Sequence, residues 1–452
     1  VGMRGAIPKI GMILVGVLAF GPAIEASSDA AERAQVGATQ SSSLNARGMV
    51  LYKAGKIDEA IAMFKQAVAS NPKDSEALTN LGLALDARGK ADEAVADLDK
   101  ALALNPANST AENDLALALY HQKKYAESVA AYKKAIALNP KSPLAYNGMG
   151  ASLYAAGSVD DAIAAYRQAL DLSPRYVDAM NNLGVALDSQ EKYPEAADVY
   201  ARAVEIQPQS RELRSSYAAT LHSAGRNDDA VAQYREVVSA HPDDAHSWSA
   251  LGRLLIIAGQ PDEAEQALTK SLSLDPNQPE TEFILARAYQ DQGKTAEAIE
   301  LYNKGLAQKP NEAHALYNLG NAYLAAKDFP KAVTFFQKAL DAQPQFPEAL
   351  FGLGAAKMQA GDLDGAEGAF EKLLVARPDN ADALFNLGNV RFNKGQYGPA
   401  ADTYREAIKL NPDMAHAHYN LAMALLRLND SGAADSEFKE ANKLDPSLAP
   451  PK

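Results

Sequence analysis

Side chains that support catalysis or metal binding are present in this sequence, but their spacing assembles no site. His416 and His418 are two positions apart, and on a helix that spacing points the two rings to different faces. The chain has no cysteine, which excludes thiolate ligands, disulfides and a cysteine nucleophile. Gly-Met-Gly at 148–150 and Gly-Leu-Gly at 352–354 fall inside predicted helices, at positions where helices pack closely. We therefore predict that the protein is not an enzyme and needs no cofactor or metal.

A sequence repeat sets the elements that position the side chains. Prolines recur every 34 residues from Pro72 to Pro446 without an insertion, which defines twelve repeats from 41–74 to 415–448. A fixed period of about 20–50 residues is typical of repeat architectures. We predict a signal peptide at 1–26, a flexible linker at 27–40, a twelve-unit array at 41–448 and a tail at 449–452.

Each repeat is predicted to form two helices. In residues 313–346, Leu316 and Leu319 belong to a first apolar stretch with helical spacing, and Ala332 and Phe336 belong to a second. Proline ends the second helix because it cannot continue the hydrogen-bond ladder. The sequence therefore predicts a chain of helical hairpins.

Small residues mark the turns and the close contacts. Most repeats carry a glycine between the two helices, where the chain adopts a left-handed conformation without steric cost. The exceptions at this position are Lys123, Glu191, Lys327 and Asn429. Glycine or alanine also recurs within the first helix, and we expect large side chains of the second helix to pack over these small residues.

The recurring leucine–glycine pair, alanine, aromatic residue and proline resemble the tetratricopeptide repeat family. The resemblance covers about nine-tenths of the chain. It implies an all-α fold, a right-handed α-solenoid of stacked antiparallel helix pairs with about 24 helices. It also implies that the first helix of each repeat lines a concave groove. Among members of this family, the sequence resembles exported bacterial proteins.

If that geometry holds, the types of residue that line the groove change along the array. The fifth position of the last five repeats carries an aromatic residue: Phe283, Tyr317, Phe351, Phe385 and Tyr419. Aromatic side chains supply large contact areas in protein interfaces. Two interpretations remain open, because these rings either anchor a partner or only pack against the adjacent helix.

Asparagines accompany the aromatic row. They occur at the sixth position as Asn80, Asn182, Asn318, Asn386 and Asn420, and at the ninth as Asn321 and Asn389. An amide both donates and accepts hydrogen bonds, so such a row can pair with the backbone of an extended peptide. Contacts between helices are the alternative role for these asparagines.

Charge narrows the class of partner. The net charge is −13, and acidic residues outnumber basic ones at the predicted groove positions. A nucleic-acid-binding protein normally presents a basic face, so we predict a neutral or basic protein or peptide as the partner and no nucleic acid. In the alternative interpretation, these acidic residues only keep the protein soluble and do not select a partner.

The first 26 residues predict export. Arg4 and Lys9 precede an uncharged apolar run at 10–20, and small residues follow up to Ala26, which is the layout of a secretory signal peptide. We expect a periplasmic or secreted protein with no membrane span after cleavage; the alternative is an uncleaved segment that holds it to the inner membrane. The predicted function is a scaffold of the bacterial envelope, with a carbohydrate-binding or polysaccharide-export accessory protein as the alternative and the recognition arm of a glycosyltransferase as a remote one.

Overall fold

The computed structural model describes residues 29–448, apart from the side chains of residues 29–34 and 36. The predicted signal peptide and the predicted tail lie outside these residues. The described chain forms 24 α-helices and no strand, which confirms the all-α fold class. The helices are α1 (Asp29–Lys53), α2 (Ile57–Ser70), α3 (Ser75–Ala87), α4 (Ala91–Leu104), α5 (Ser109–His121), α6 (Tyr125–Leu138), α7 (Pro143–Ala155), α8 (Val159–Leu172), α9 (Val177–Ser189), α10 (Tyr193–Ile206), α11 (Arg211–Ser223), α12 (Asn227–Ala240), α13 (Ala245–Ile257), α14 (Pro261–Leu274), α15 (Pro279–Asp291), α16 (Thr295–Gln308), α17 (Ala313–Ala325), α18 (Phe329–Ala342), α19 (Pro347–Gln359), α20 (Leu363–Ala376), α21 (Ala381–Asn393), α22 (Tyr397–Leu410), α23 (Ala415–Arg427) and α24 (Ser431–Leu444).

The helices pair and stack in chain order. Odd-numbered helices are the first helices of the repeats and even-numbered helices are the second. The chain divides into two compact parts, which we call the N-terminal block (Val1–Pro242) and the C-terminal block (Asp243–Lys452). Within each block every helix packs most closely against its chain neighbours, so the buried hydrophobic residues lie between successive helices of the stack.

The turn between the two helices of a repeat is left-handed, as predicted. Glycine occupies this position with positive φ in eight repeats, Gly157 at 85° for example. Lys123, Glu191, Lys327 and Asn429 adopt the same conformation, with φ between 59° and 64°. The backbone geometry of the repeat therefore overrides the steric preference of these four side chains.

The glycines inside the first helices allow close packing. A Cβ atom on Gly320 would lie 2.8 Å from ring atoms of Phe336, and one on Gly388 would lie 2.5 Å from the ring of Tyr404. Both rings are fully buried. The predicted packing of large side chains over small residues is confirmed.

The segment predicted as a flexible linker differs from the structure. From Asp29 onward it is helical, because α1 extends through residues 29–40 into the first repeat. The segment contains Ala31, Glu32 and Gln35, which favour helix more than a loop. A Cβ atom on Gly37 would lie 2.7 Å from the carbonyl oxygen of Ser70, so this extension packs against the end of α2.

Candidate partner-binding face of the first helices

The five aromatic residues of the C-terminal block lie one on each of α15, α17, α19, α21 and α23, and all are half-buried. Each contacts an aromatic ring on the second helix of its own repeat. The ring centroids are 6.5 Å apart for Phe283–Tyr302, 5.8 Å for Tyr317–Phe336 and Phe351–Phe370, 6.1 Å for Phe385–Tyr404 and 5.3 Å for Tyr419–Phe438. The row therefore has a packing role, and its outer edges remain accessible.

The asparagines of the C-terminal block lie beside this row and are also half-buried. Asn389 Oδ1 accepts a hydrogen bond from the Tyr404 hydroxyl at 2.8 Å and another from Asn420 Nδ2 at 2.7 Å. Asn386 Nδ2 donates to the carbonyl oxygen of Asp382 at 2.8 Å. Asn420 thus links α23 to α21, and part of its amide capacity is used within the stack.

One further asparagine, Asn318, interacts with Tyr302. Burial raises the pKa of the Tyr302 phenol, and a hydrogen bond with Asn318 opposes this rise. Asn321 is half-buried one turn further along α17. The structure thus brings Asn318 together with the Phe283–Tyr302 ring pair, at the accessible edge of the first helices.

The two predicted contact residues of the N-terminal block are not accessible. Asn80 is buried, and its Nδ2 donates to Asn45 Oδ1 at 2.9 Å; Asn182 is 0% exposed, and its Nδ2 donates to Asn147 Oδ1 at 3.0 Å. These amides bridge successive first helices and do not face a ligand. In the sequence, this role is indicated by pairs of asparagines 35 residues apart, which is one repeat plus one position.

Carboxylates on the first helices of the N-terminal block are buried and poorly neutralised. Burial raises the pKa of Asp114 to about 7, and the negative charge of Asp86 adds to the shift. Burial also raises the pKa of Asp188 to about 6, although Thr220 Oγ1 donates to its Oδ2 at 2.6 Å. His121 Nδ1 lies 2.9 Å from both oxygens of Asp86, and that hydrogen bond raises the pKa of His121.

Most acids on the first helices of the C-terminal block have partners of opposite charge. Arg287 Nε lies 3.1 Å from Asp291 Oδ1, and Arg377 lies 3.2 Å from Glu348. Glu280 pairs with Lys309. The electrostatic character of the first helices therefore differs between the blocks, and unpaired negative charge concentrates in the N-terminal one.

Family models establish the relationship of this sequence to known proteins. Tetratricopeptide repeat models match residues 45–109, 79–143 and 147–211, then 189–254 and 323–387, and finally 388–429 and 415–448. Together the matches cover more than half of the chain. The chain belongs to the tetratricopeptide repeat family. A model of the tetratricopeptide repeat domain of cytochrome c-type biogenesis protein H also matches residues 233–349.

Solved structures of tetratricopeptide repeat type are similar over much of the chain. The APC/C hetero-tetramer Cut9–Hcn1 is 15% identical over 91% of this chain and 95% of that chain, with a TM-score of 0.42. Yeast Tom70 is 16% identical over 90% and 98%, with a TM-score of 0.37. MamA from Desulfovibrio magneticus RS-1 is 23% identical over 37% and 96%, with a TM-score of 0.36. No curated protein matches the sequence significantly.

Membership in the tetratricopeptide repeat family gives this chain a scaffold fold suited to protein–protein interaction, and such repeats are typically non-catalytic. Within residues 29–448, no group of three or more histidine and carboxylate side chains is arranged to hold a metal ion. None of the described helices combines the length and the apolar character that crossing a membrane requires.

Proposed function

We propose that this tetratricopeptide repeat protein is a non-catalytic scaffold of the bacterial cell envelope, and that it holds a protein or extended peptide on the first helices of its C-terminal block. The observation that carries this proposal is the aromatic row from Phe283 to Tyr419. Five successive first helices each present one half-buried ring with an accessible edge. Interface anchors are typically aromatic side chains held in place by neighbours, because little conformational freedom is lost on binding.

Half-buried asparagines support a peptide partner beside this row. Asn318, Asn321 and Asn386 are half-buried on the same first helices as the aromatic row, whereas Asn389 and Asn420 are hydrogen-bonded to each other. Amides placed along a hydrophobic row can satisfy the backbone groups of an extended chain while the rings hold its side chains. This arrangement favours an extended peptide over a flat protein surface.

Two features support the envelope location. The first 26 residues have the layout of a signal peptide, and residues 233–349 match a domain of a cytochrome c-type biogenesis protein. Fractionation of cells that produce the full chain tests this part of the proposal. We expect a shortened protein in the envelope fraction; full-length protein confined to the cytosol would contradict it.

The partner is tested by capture from envelope extract with two matched variants. Phe351→Leu/Phe385→Leu removes two ring edges of the row and keeps apolar bulk against α20 and α22. Tyr323→Leu/Phe335→Leu is the control, because these stacked rings, 5.4 Å apart, lie off the row. We expect proteins that the wild type and the control retain and the first variant loses. Capture of the same proteins by all three baits would show that the aromatic row packs against the second helices and binds no partner.

A further inference from the structure

One carboxylate on the first helices of the N-terminal block is buried without adequate partners. Asp114 on α5 is 5% exposed. Its Oδ1 accepts one long hydrogen bond, from Asn113 Nδ2 at 3.4 Å, and its Oδ2 has no hydrogen-bond partner among the described residues. A buried carboxylate is costly unless it is paired and fully hydrogen-bonded.

Packing between repeats does not explain an acid at this position. Asn80 and Asn182 occupy the same repeat position, and each donates to an asparagine of the preceding repeat. The equivalent acceptor position before Asp114 is held by Thr79, whose hydroxyl donates to the Ser75 carbonyl oxygen at 2.7 Å. An asparagine at 114 would serve the stack at least as well, so the negative charge has no use inside it.

A second unpartnered group points to the same place. Tyr132 is 1% exposed, and its hydroxyl has no hydrogen-bond partner among the residues that the structure describes. Burial raises the pKa of Tyr132, and the charges of Asp114 and then Asp86 raise it further, so both carboxylates lie within electrostatic range of the hydroxyl. The ring extends over Gly148, where a Cβ atom would lie 2.4 Å from the hydroxyl oxygen.

The exposed side of this cluster is formed by His121. His121, whose side chain is 46% exposed, forms the rim through its contact with Asp86, and half-buried Tyr52 lies on α1 near both carboxylates. Elsewhere on α5 and α6, Glu112 and Lys134 lie 3.5 Å apart and form an ion pair of their own. Both carboxylates are therefore buried, and His121 is the exposed member of the cluster.

We propose that Asp86 and Asp114 bind the ammonium or guanidinium group of a basic segment in a protein partner, which approaches past His121. The cation would supply the donors that Asp114 Oδ2 lacks and would replace His121 as the partner of Asp86. A charge-assisted hydrogen bond to a buried carboxylate is stronger than one between neutral groups. The net charge of the chain, −13, attracts a basic segment to the protein, and the two carboxylates supply the local negative charge.

This binding surface is independent of the aromatic row, because it lies in the other block and recognises charge. The variants that test the two proposals do not overlap. Loss of the aromatic contacts would leave binding of a basic peptide intact. Loss of the carboxylate site would likewise leave binding at the aromatic row intact.

The test measures binding of a short labelled peptide of alternating lysine and serine to the full chain by fluorescence anisotropy. Asp114→Asn keeps the shape of the side chain and matches Asn80 at the same position of the preceding repeat, so we expect the variant to fold, with thermal melting as the check. We expect about tenfold weaker binding, equivalent to about 1.4 kcal/mol. The control is Asp161→Asn, which removes the same charge from an exposed position on α8.

Two further measurements separate a site from general attraction. Binding by the wild type should strengthen as the pH rises through about 7, where Asp114 loses its proton, and Asp114→Asn should flatten this dependence. A glutamate–serine peptide should not bind. Equal losses in Asp114→Asn and Asp161→Asn, an unchanged pH dependence in Asp114→Asn, or binding of the acidic peptide would overturn the proposal.

Discussion

A buried ion pair in the C-terminal block gives a sharp test of how this stack is stabilised. Glu282 on α15 is 0% exposed and stands at the repeat position that Leu316, Leu350 and Leu384 occupy in the next three repeats. Lys304 Nζ on α16 lies 2.7 Å from Glu282 Oε1, and Gln308 Nε2 lies 3.3 Å from Oε2. The carboxylate therefore depends on one cation and one amide.

Lys304→Ala would leave this carboxylate buried with one amide partner. Removing one member of a buried pair costs about 3–5 kcal/mol. We expect about 3 kcal/mol, since the side chain of Lys304 is 51% exposed and water can reach the space it leaves. Glu282→Leu should match or exceed the wild-type stability, because an apolar replacement avoids the desolvation of the carboxylate.

Urea unfolding, together with hydrogen exchange of peptides from α15 and α16, measures both effects where they arise. Lys338→Ala is the matched control, since Lys338 has the same repeat position in the next hairpin and lies 5.0 Å above the Phe335 ring. Its loss should cost less than about 1 kcal/mol. The reasoning fails if Lys304→Ala costs no more than Lys338→Ala, or if Glu282→Leu is as damaging as Lys304→Ala.

Three further outcomes are expected. The raised pKa of Asp114 makes its contribution to folding complete below the unfolded pKa of 3.8 and lost as the pH rises through about 7, whereas Lys394 lowers the pKa of Glu367, whose contribution is lost as the pH falls. Hydrogen-exchange protection factors, which are corrected for the intrinsic pH dependence of exchange, should therefore rise in α5 and fall in α20 from pH 7 to acid, and parallel changes in the two helices would contradict this. Lys123→Gly should stabilise the chain by about 1 kcal/mol in urea unfolding, because φ is 61° there, and no gain would mean that the left-handed turn carries no strain. Gly388→Ala should cost about 1–3 kcal/mol by thermal unfolding, since its Cβ would lie 2.5 Å from a tyrosine ring, and Gly398→Ala, with open space around it, should not destabilise.

Features that depend on one repeat alone could be predicted from the sequence. The proline period defined the hairpins, and the turn position was recognised even where Lys123 or Glu191 replaces glycine. Local chemistry determines these features, because a left-handed turn and a close helix contact need only the residues of one hairpin. The helical extension of α1 was missed because short polar residues suggest a linker, whereas packing against α2 favours a helix there.

Hydrogen-bond partners and burial that depend on a neighbouring repeat could not be predicted from the sequence of one repeat. Asn182 and Asn386 share a repeat position, yet the first bridges two helices and the second donates to its own helix. The difference lies in the preceding repeat, which supplies an amide acceptor at Asn147. Burial of Asp114 has the same origin, because its environment includes side chains on α3 and α6.

The amide bridges between first helices mean that the repeats are not interchangeable modules. Asn45 with Asn80 and Asn147 with Asn182 join specific neighbours, so each repeat is adapted to the one beside it. An excision of residues 75–108 would keep the 34-residue register but remove Glu76 and Asn80, the two hydrogen-bond partners of the Asn45 amide, and set Asp114 in the place of Asn80. Duplication or deletion of whole repeats, the usual route by which such arrays change length, would therefore be tolerated at some junctions of this chain and resisted at those that carry a bridge.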